Sequence, residues 1–142
     1  MKIITVSDIH LDINSKYLGV DLLPTVIICL KKQDADIYII AGDLCDNASD
    51  TIHSLNSIEA ELGKKVLFIP GNHDVWVKEK NQSSWDSYHS LKNHPSSLLG
   101  KPFEVNDTYA IIGEMGWYDY SFIKEGIANQ TVWNHLQEWG DH

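Results

Sequence analysis

Arginine is absent from this 142-residue chain. Its 11 basic side chains are all lysines, set against 20 acidic residues, and the formal net charge is −9. A field of that sign exerts no long-range pull on a polyanion, which argues against nucleic acid as a partner. It also repels a phosphorylated substrate, so a site for one needs the local charge of bound cations. Cysteine is scarce. Cys29 and Cys45 are too few and too unpatterned for a disulfide framework or a zinc ribbon. Cys29, inside Val26-Ile27-Ile28-Cys29-Leu30, reads as a buried helix thiol. No run of about 18 apolar residues occurs, which excludes a membrane-spanning helix. The N-terminus Met1-Lys2-Ile3-Ile4 enters a strand pattern at once, without the charged, apolar and small-residue segments of a signal peptide. The expected location is cytoplasmic. The composition, 43% hydrophobic and 22% charged, is that of a globular protein, and the length fits a single domain over residues 1–142.

What the chain does contain is three apolar runs, each ending in a polar cluster. Ile3-Ile4-Thr5-Val6 leads to Ser7-Asp8-Ile9-His10. Ile37-Tyr38-Ile39-Ile40 leads to Ala41-Gly42-Asp43-Leu44. Val66-Leu67-Phe68-Ile69 leads to Gly71-Asn72-His73-Asp74. Helical patterns separate the runs. Residues 21–33 carry Leu22, Leu23, Val26, Ile27 and Leu30 on one face, with Pro24 suited to a first turn. A second helix begins at a cap on Ser49 or Asp50, runs to Leu62 and stops at Gly63. Short buried strands joined by helices predict an α/β fold with a mostly parallel sheet covered on both faces. Beyond Val75 the pattern predicts an exposed polar stretch over 78–84 and a short helix with Trp85, Tyr88 and Leu91. It then predicts a hairpin across Asn106-Asp107, an aromatic loop over 116–122, and a last helix with Val132, Leu136 and Trp139.

Three parallel strands bring their polar ends to one sheet edge, where open α/β sheets bind ligands. Asp8 and His10 are two apart, and on an extended tip that spacing puts both on one side. A carboxylate and an imidazole can then share one cation. Gly42 lets the backbone turn sharply before Asp43, whose two oxygens can bridge two cations. Asn72 offers a neutral amide oxygen to the second. His73 lies near without being bound, free to protonate a leaving alkoxide. Hard oxygens mixed with imidazole suit Mn, Fe, Zn or similar divalent ions. Two such ions would clamp a phosphate ester and activate water. Asp12 and Asp46 read as loop or cap residues, and His53 as a solvent-facing helix residue.

At Asp8/His10, Gly42-Asp43-Leu44-Cys45-Asp46 and Gly71-Asn72-His73-Asp74 the chain resembles the calcineurin-like metallophosphoesterase family. Its opening pattern is Asp-x-His, Gly-Asp-x-x-Asp and Gly-Asn-His-(Asp/Glu). The resemblance implies a metallo-dependent phosphatase-like sandwich. It implies two divalent metal ions, one held by Asp8, His10 and Asp43 and the other by Asp43 and Asn72. It makes His73 the acid or substrate-contacting group, with Asp74 orienting it. The family also supplies later histidines, including a Gly-His-x-His motif that this sequence does not contain. The expectation is therefore the N-terminal part of such a domain, with its second sheet incomplete and an exposed apolar face that would pair as a homodimer. Three outcomes stand open on sequence grounds: metal-dependent hydrolysis of a phosphomonoester or phosphodiester, a metal-binding or protein-binding scaffold of the same fold, or a fragment without activity.

Overall fold

The structure, a computed structural model, describes residues 1–77 and 83–116. In chain order they form β1 (Ile3–Val6), α1 (Leu11–Leu18), α2 (Leu23–Gln33), β2 (Ile37–Ala41), α3 (Ala48–Leu62) and β3 (Lys65–Ile69). A 3-10 turn (His73–Val75), α4 (Ser84–Lys92), β4 (Phe103–Glu104) and β5 (Ala110–Ile111) follow. The first three strands pair in parallel in the order β1-β2-β3, with Ile3 beside Ile37 and Ile37 beside Lys65. Residues 96–98 lie along the other edge of β3. The Phe68 amide donates to the Ser96 carbonyl at 2.8 Å, and the Leu98 amide donates to the Phe68 carbonyl at 2.9 Å. β4 and β5 form a small antiparallel sheet across Asn106-Asp107, as the sequence predicts.

Strand alternation sorts the core into two sides. Tyr38 and Ile40 of β2, with Val66 and Phe68 of β3, pack against Ile27 and Leu30 of α2, Leu55 and Ile58 of α3, and Leu91 of α4. Ile37 and Leu67 face the other way, toward Leu98, and the hairpin covers them with Phe103, Val105 and Ile111. The result is the expected mixed α/β class: a parallel sheet flanked by helices, with a small second sheet. Helices cover one face and the hairpin lies over the other.

Local chemistry explains the helix ends and three departures from expectation. α3 is capped by Asn47, not by Ser49 or Asp50. The Asn47 side chain accepts from the Asp50 amide at 3.0 Å, three residues on. Gly63 then ends α3 in the left-handed conformation, its amide donating to the Glu59 carbonyl. Residues 11–18, expected as loop, form α1. Only Leu11 of that helix is buried, so its apolar residues draw no continuous stripe, and Gly19 at φ 68° is its stop signal. Cys29 is exposed, because Ile27 and Leu30 take the inward face of α2. The polar run 78–82, the aromatic loop beyond Gly116, the helix expected around Val132, Leu136 and Trp139, and His135 and His142 lie outside the described residues. Among those described, no single helix is long and apolar enough to cross a membrane.

Candidate metal centre

The site is built on the carboxyl ends of β1, β2 and β3. The β1–β2 ladder continues past the strands: the amides of Asp8, His10 and Leu11 donate to the carbonyls of Gly42, Asp43 and Leu44 at 3.0, 2.9 and 2.8 Å. Asp8, His10 and Asp43 all take positive φ, at 55°, 45° and 54°. Left-handed backbone is uncommon outside glycine, and such residues gather where a site over-determines the chain. Asp8 and His10 therefore meet by a pair of left-handed kinks, rather than by the two-residue alternation of an extended tip.

The tips of β2 and β3 touch at glycines. A Cβ on Gly71 would sit 2.2 Å from Asp43 Oδ1 and 2.7 Å from the Asp43 amide nitrogen. One on Gly42, itself at φ 88°, would sit 3.2 Å from the Gly71 Cα. Only residues without side chains allow the two loops this approach. The same approach lets the His73 amide donate to Asp43 Oδ1 at 3.0 Å, which fixes one oxygen of the β2 carboxylate.

Beneath these loops lies Asp74, with no exposed surface. Its Oδ2 accepts from the amides of Asp43 and Gly71, both at 2.8 Å. Its Oδ1 accepts from the Thr51 hydroxyl at 2.7 Å and from the amides of Leu44 and Cys45 at 3.1 and 3.2 Å. Burial pushes this carboxyl above its ordinary range, while the bonds from Thr51 and the backbone pull the other way. Asp74 thus binds both loops to α3. The expectation that it orients the His73 ring, or acts catalytically itself, is corrected by this geometry. Its oxygens are spent on the loop amides and Thr51, and it has no surface with which to meet a substrate.

The partner of His73 is Asp46. Asp46 Oδ1 stands 2.9 Å from His73 Nδ1. A carboxylate only accepts, so Nδ1 carries the proton and Nε2 is left as the second functional nitrogen. The Asp46 backbone is held in turn by Asp12, whose Oδ2 accepts from the Asp46 amide at 3.1 Å. His10 meets His73 edge to face, ring centroids 4.5 Å apart. Its Nε2 lies 4.0 Å from Asp43 Oδ2 and its Nδ1 3.9 Å from Asp46 Oδ1. Reading Asp46 as a mere cap therefore missed the carboxylate that meets the His73 ring. The available signal was its place three positions after Asp43, at the end of Gly-Asp-x-x-Asp.

Two sets of donor atoms converge. Those of Asp8, His10 and Asp43 lie within 4.8 Å of one another, and so do those of His10, Asp46 and His73. Asn72 sits at the head of the 3-10 turn, directly before His73. Nδ1 of His10 is a buried nitrogen without a hydrogen-bond partner. Buried polar atoms are nearly always satisfied, so an orphan imidazole nitrogen among carboxylates fits a cation ligand. The chain matches the family described as calcineurin-like phosphoesterase over residues 1–141.

Proposed function

The chain belongs to the calcineurin-like phosphoesterase family, and from that premise we propose that it hydrolyses a phosphomonoester or phosphodiester at a two-metal centre on the tips of β1, β2 and β3. The observation that supports this most directly is the convergence of the donor atoms of Asp8, His10 and Asp43 to within 4.8 Å of one another. In this reading Asp8, His10 and Asp43 hold one cation, and Asp43 with Asn72 holds the other. Divalent cations in such a site supply charge that stabilises phosphoryl transfer and favours hydroxide over water. The remaining work falls to side chains. Asp46 accepts from His73 Nδ1–H and so supports the doubly protonated ring, whose second proton, on Nε2, passes to the departing alkoxide oxygen. Asp74 holds the backbone of both loops, so that Asp43 and Asn72 stay in register.

The test is turnover of p-nitrophenyl phosphate, and of its bis-ester, with added Mn²⁺. Asp43→Asn should abolish it; activity that survives this change overturns the site. The same donor set would also serve a second reading, a metal-binding scaffold of the same fold without turnover. Calorimetry separates the two, since Mn²⁺ uptake with no hydrolysis is the scaffold outcome.

A further inference from the structure

Asp46 fixes one end of the His73 ring, but a single hydrogen bond leaves the ring plane free to rock about it. The structure shows what stops that motion. The Trp76 indole lies over the His73 imidazole, ring centroids 3.7 Å apart and planes inclined by 34°. The contact follows from the backbone. His73–Val75 is a 3-10 turn, and the Trp76 amide donates to the His73 carbonyl at 3.0 Å. In such a turn residues three apart eclipse one another. The sequence His73-Asp74-Val75-Trp76 therefore sends Asp74 into the core and stacks positions 73 and 76. The ring of His73 is bounded by Asp46 at Nδ1, by Trp76 over its face, and by His10 at 4.5 Å in an edge-to-face contact.

We propose that Trp76 is a positioning residue for His73: its indole fixes the plane of the imidazole, so that Nε2 keeps one direction when the leaving oxygen needs its proton. The catalytic consequence rests on the phosphoesterase reading; the stack itself does not. An aromatic face, rather than mere bulk, is the property required. Aromatic pairs of this kind set a preferred geometry, and orientation of a reacting group translates directly into rate.

The experiment has a spectroscopic arm and a kinetic arm. In metal-free wild-type protein, the ring protons of His73 should resonate upfield of those of the exposed His53, through the indole ring current. Trp76→Leu, which keeps apolar bulk, should return them downfield. With Mn²⁺ present, Trp76→Leu should lower kcat about three- to tenfold with KM unchanged. Trp76→Phe should recover most of the loss. Undisplaced His73 protons in the wild type overturn the proposal without any variant. So does a Trp76→Leu enzyme with wild-type kcat, or a Trp76→Phe enzyme as slow as Trp76→Leu. Should the wild type show no turnover, the phosphoesterase reading falls and the spectra alone decide the stack.

Discussion

The Thr51 hydroxyl donates to Asp74 Oδ1 at 2.7 Å, and both residues are fully buried. This bond joins the first turns of α3 to a carboxylate that also gathers four backbone amides from the β2 and β3 loops. Breaking a charged, buried network leaves its other members unpaired, which costs more than the bonds contributed. Asp74→Asn places an amide N–H₂ against backbone N–H donors and should lower unfolding free energy by about 3 kcal/mol or more. Thr51→Val removes one donor and should cost about 1–3 kcal/mol. Denaturant titration measures both. An Asp74→Asn protein of wild-type stability would contradict the structural role assigned here.

Asp46→Asn keeps the shape beside His73 and removes the charge. The Asp46 amide still donates to Asp12, so the loop should hold. With the carboxylate that supports the protonated His73 ring removed, kcat on p-nitrophenyl phosphate should fall about tenfold to a hundredfold. His73→Gln should fall further, by about a hundredfold or more. A variant at Asp46 as fast as the wild type removes this residue from the mechanism.

Gly71→Ala tests the contact between the loops. The new methyl would occupy the place of Asp43 Oδ1, which leaves the backbone or the carboxylate to move. Ligand geometry is what sets metal affinity, and disturbing it typically costs about tenfold to a hundredfold. Titration calorimetry with Mn²⁺ should show that loss while the helical circular dichroism stays near wild type. Unchanged Mn²⁺ affinity would mean that Asp43 is not a ligand, or that the tip is far softer than its packing indicates.

How much of this was legible in the chain depends on the kind of force involved. The strands at Ile37 and Val66 announced themselves because a buried parallel strand is apolar on both faces; β1 did so by its apolar run, although its Ile3 and Thr5 are exposed. α3 did so because Ile52, Leu55, Ile58 and Leu62 repeat at helical spacing. Asp8, His10, Asp43, Asn72 and His73 are singled out by placing short polar clusters at strand ends, and the donor atoms of the first three converge. α1 was missed because it buries little beyond Leu11. The roles of Asp46 and Asp74 were exchanged for a reason that sequence spacing cannot reveal. Asp74 is adjacent to His73, yet the 3-10 turn sends neighbours to different sides, while Asp46 reaches the ring from another loop 27 residues away. The left-handed backbone at Asp8, His10 and Asp43 has no compositional signal, since these are positions where most chains would place glycine or asparagine.

The two thiols should behave in opposite ways. Cys29 is exposed on α2. Cys45 is 2% exposed, and burial pushes its thiol up to about 11, against the pull of the Ser54 hydroxyl. Thiolate is the reactive form, so iodoacetamide at neutral pH should modify one thiol in the native protein and the second only in denaturant. Peptide mass mapping identifies the sites. Native labelling at Cys45 would show that the loop after β2 opens, contrary to its anchoring by Asp74.

His94 supplies a pH dependence remote from the metal centre. It is 7% exposed between α4 and residues 96–98. Its Nδ1 accepts from the Ser96 amide at 3.2 Å, so its Nε2 carries the proton and faces Asn56 Oδ1 at 3.2 Å. The neutral ring satisfies both bonds, and a second proton would set Nδ1–H against the Ser96 N–H. Burial lowers the pKa, helped by the charges of Lys101 and Lys65 and opposed by Glu59. The unfolded chain protonates His94 near its ordinary value of about 6.5, above the folded value. Between the two, the unfolded state binds more protons, so stability from His94 is complete above about 6.5 and is lost as pH falls through the folded value. His94→Gln cannot titrate. The stability gap between wild type and this variant should narrow steadily from about pH 7.5 to about pH 5, as the wild type alone loses the neutral-ring advantage. A gap constant with pH would mean that His94 ionises in the folded protein as it does in the unfolded chain, and that its two hydrogen bonds do not select the neutral form.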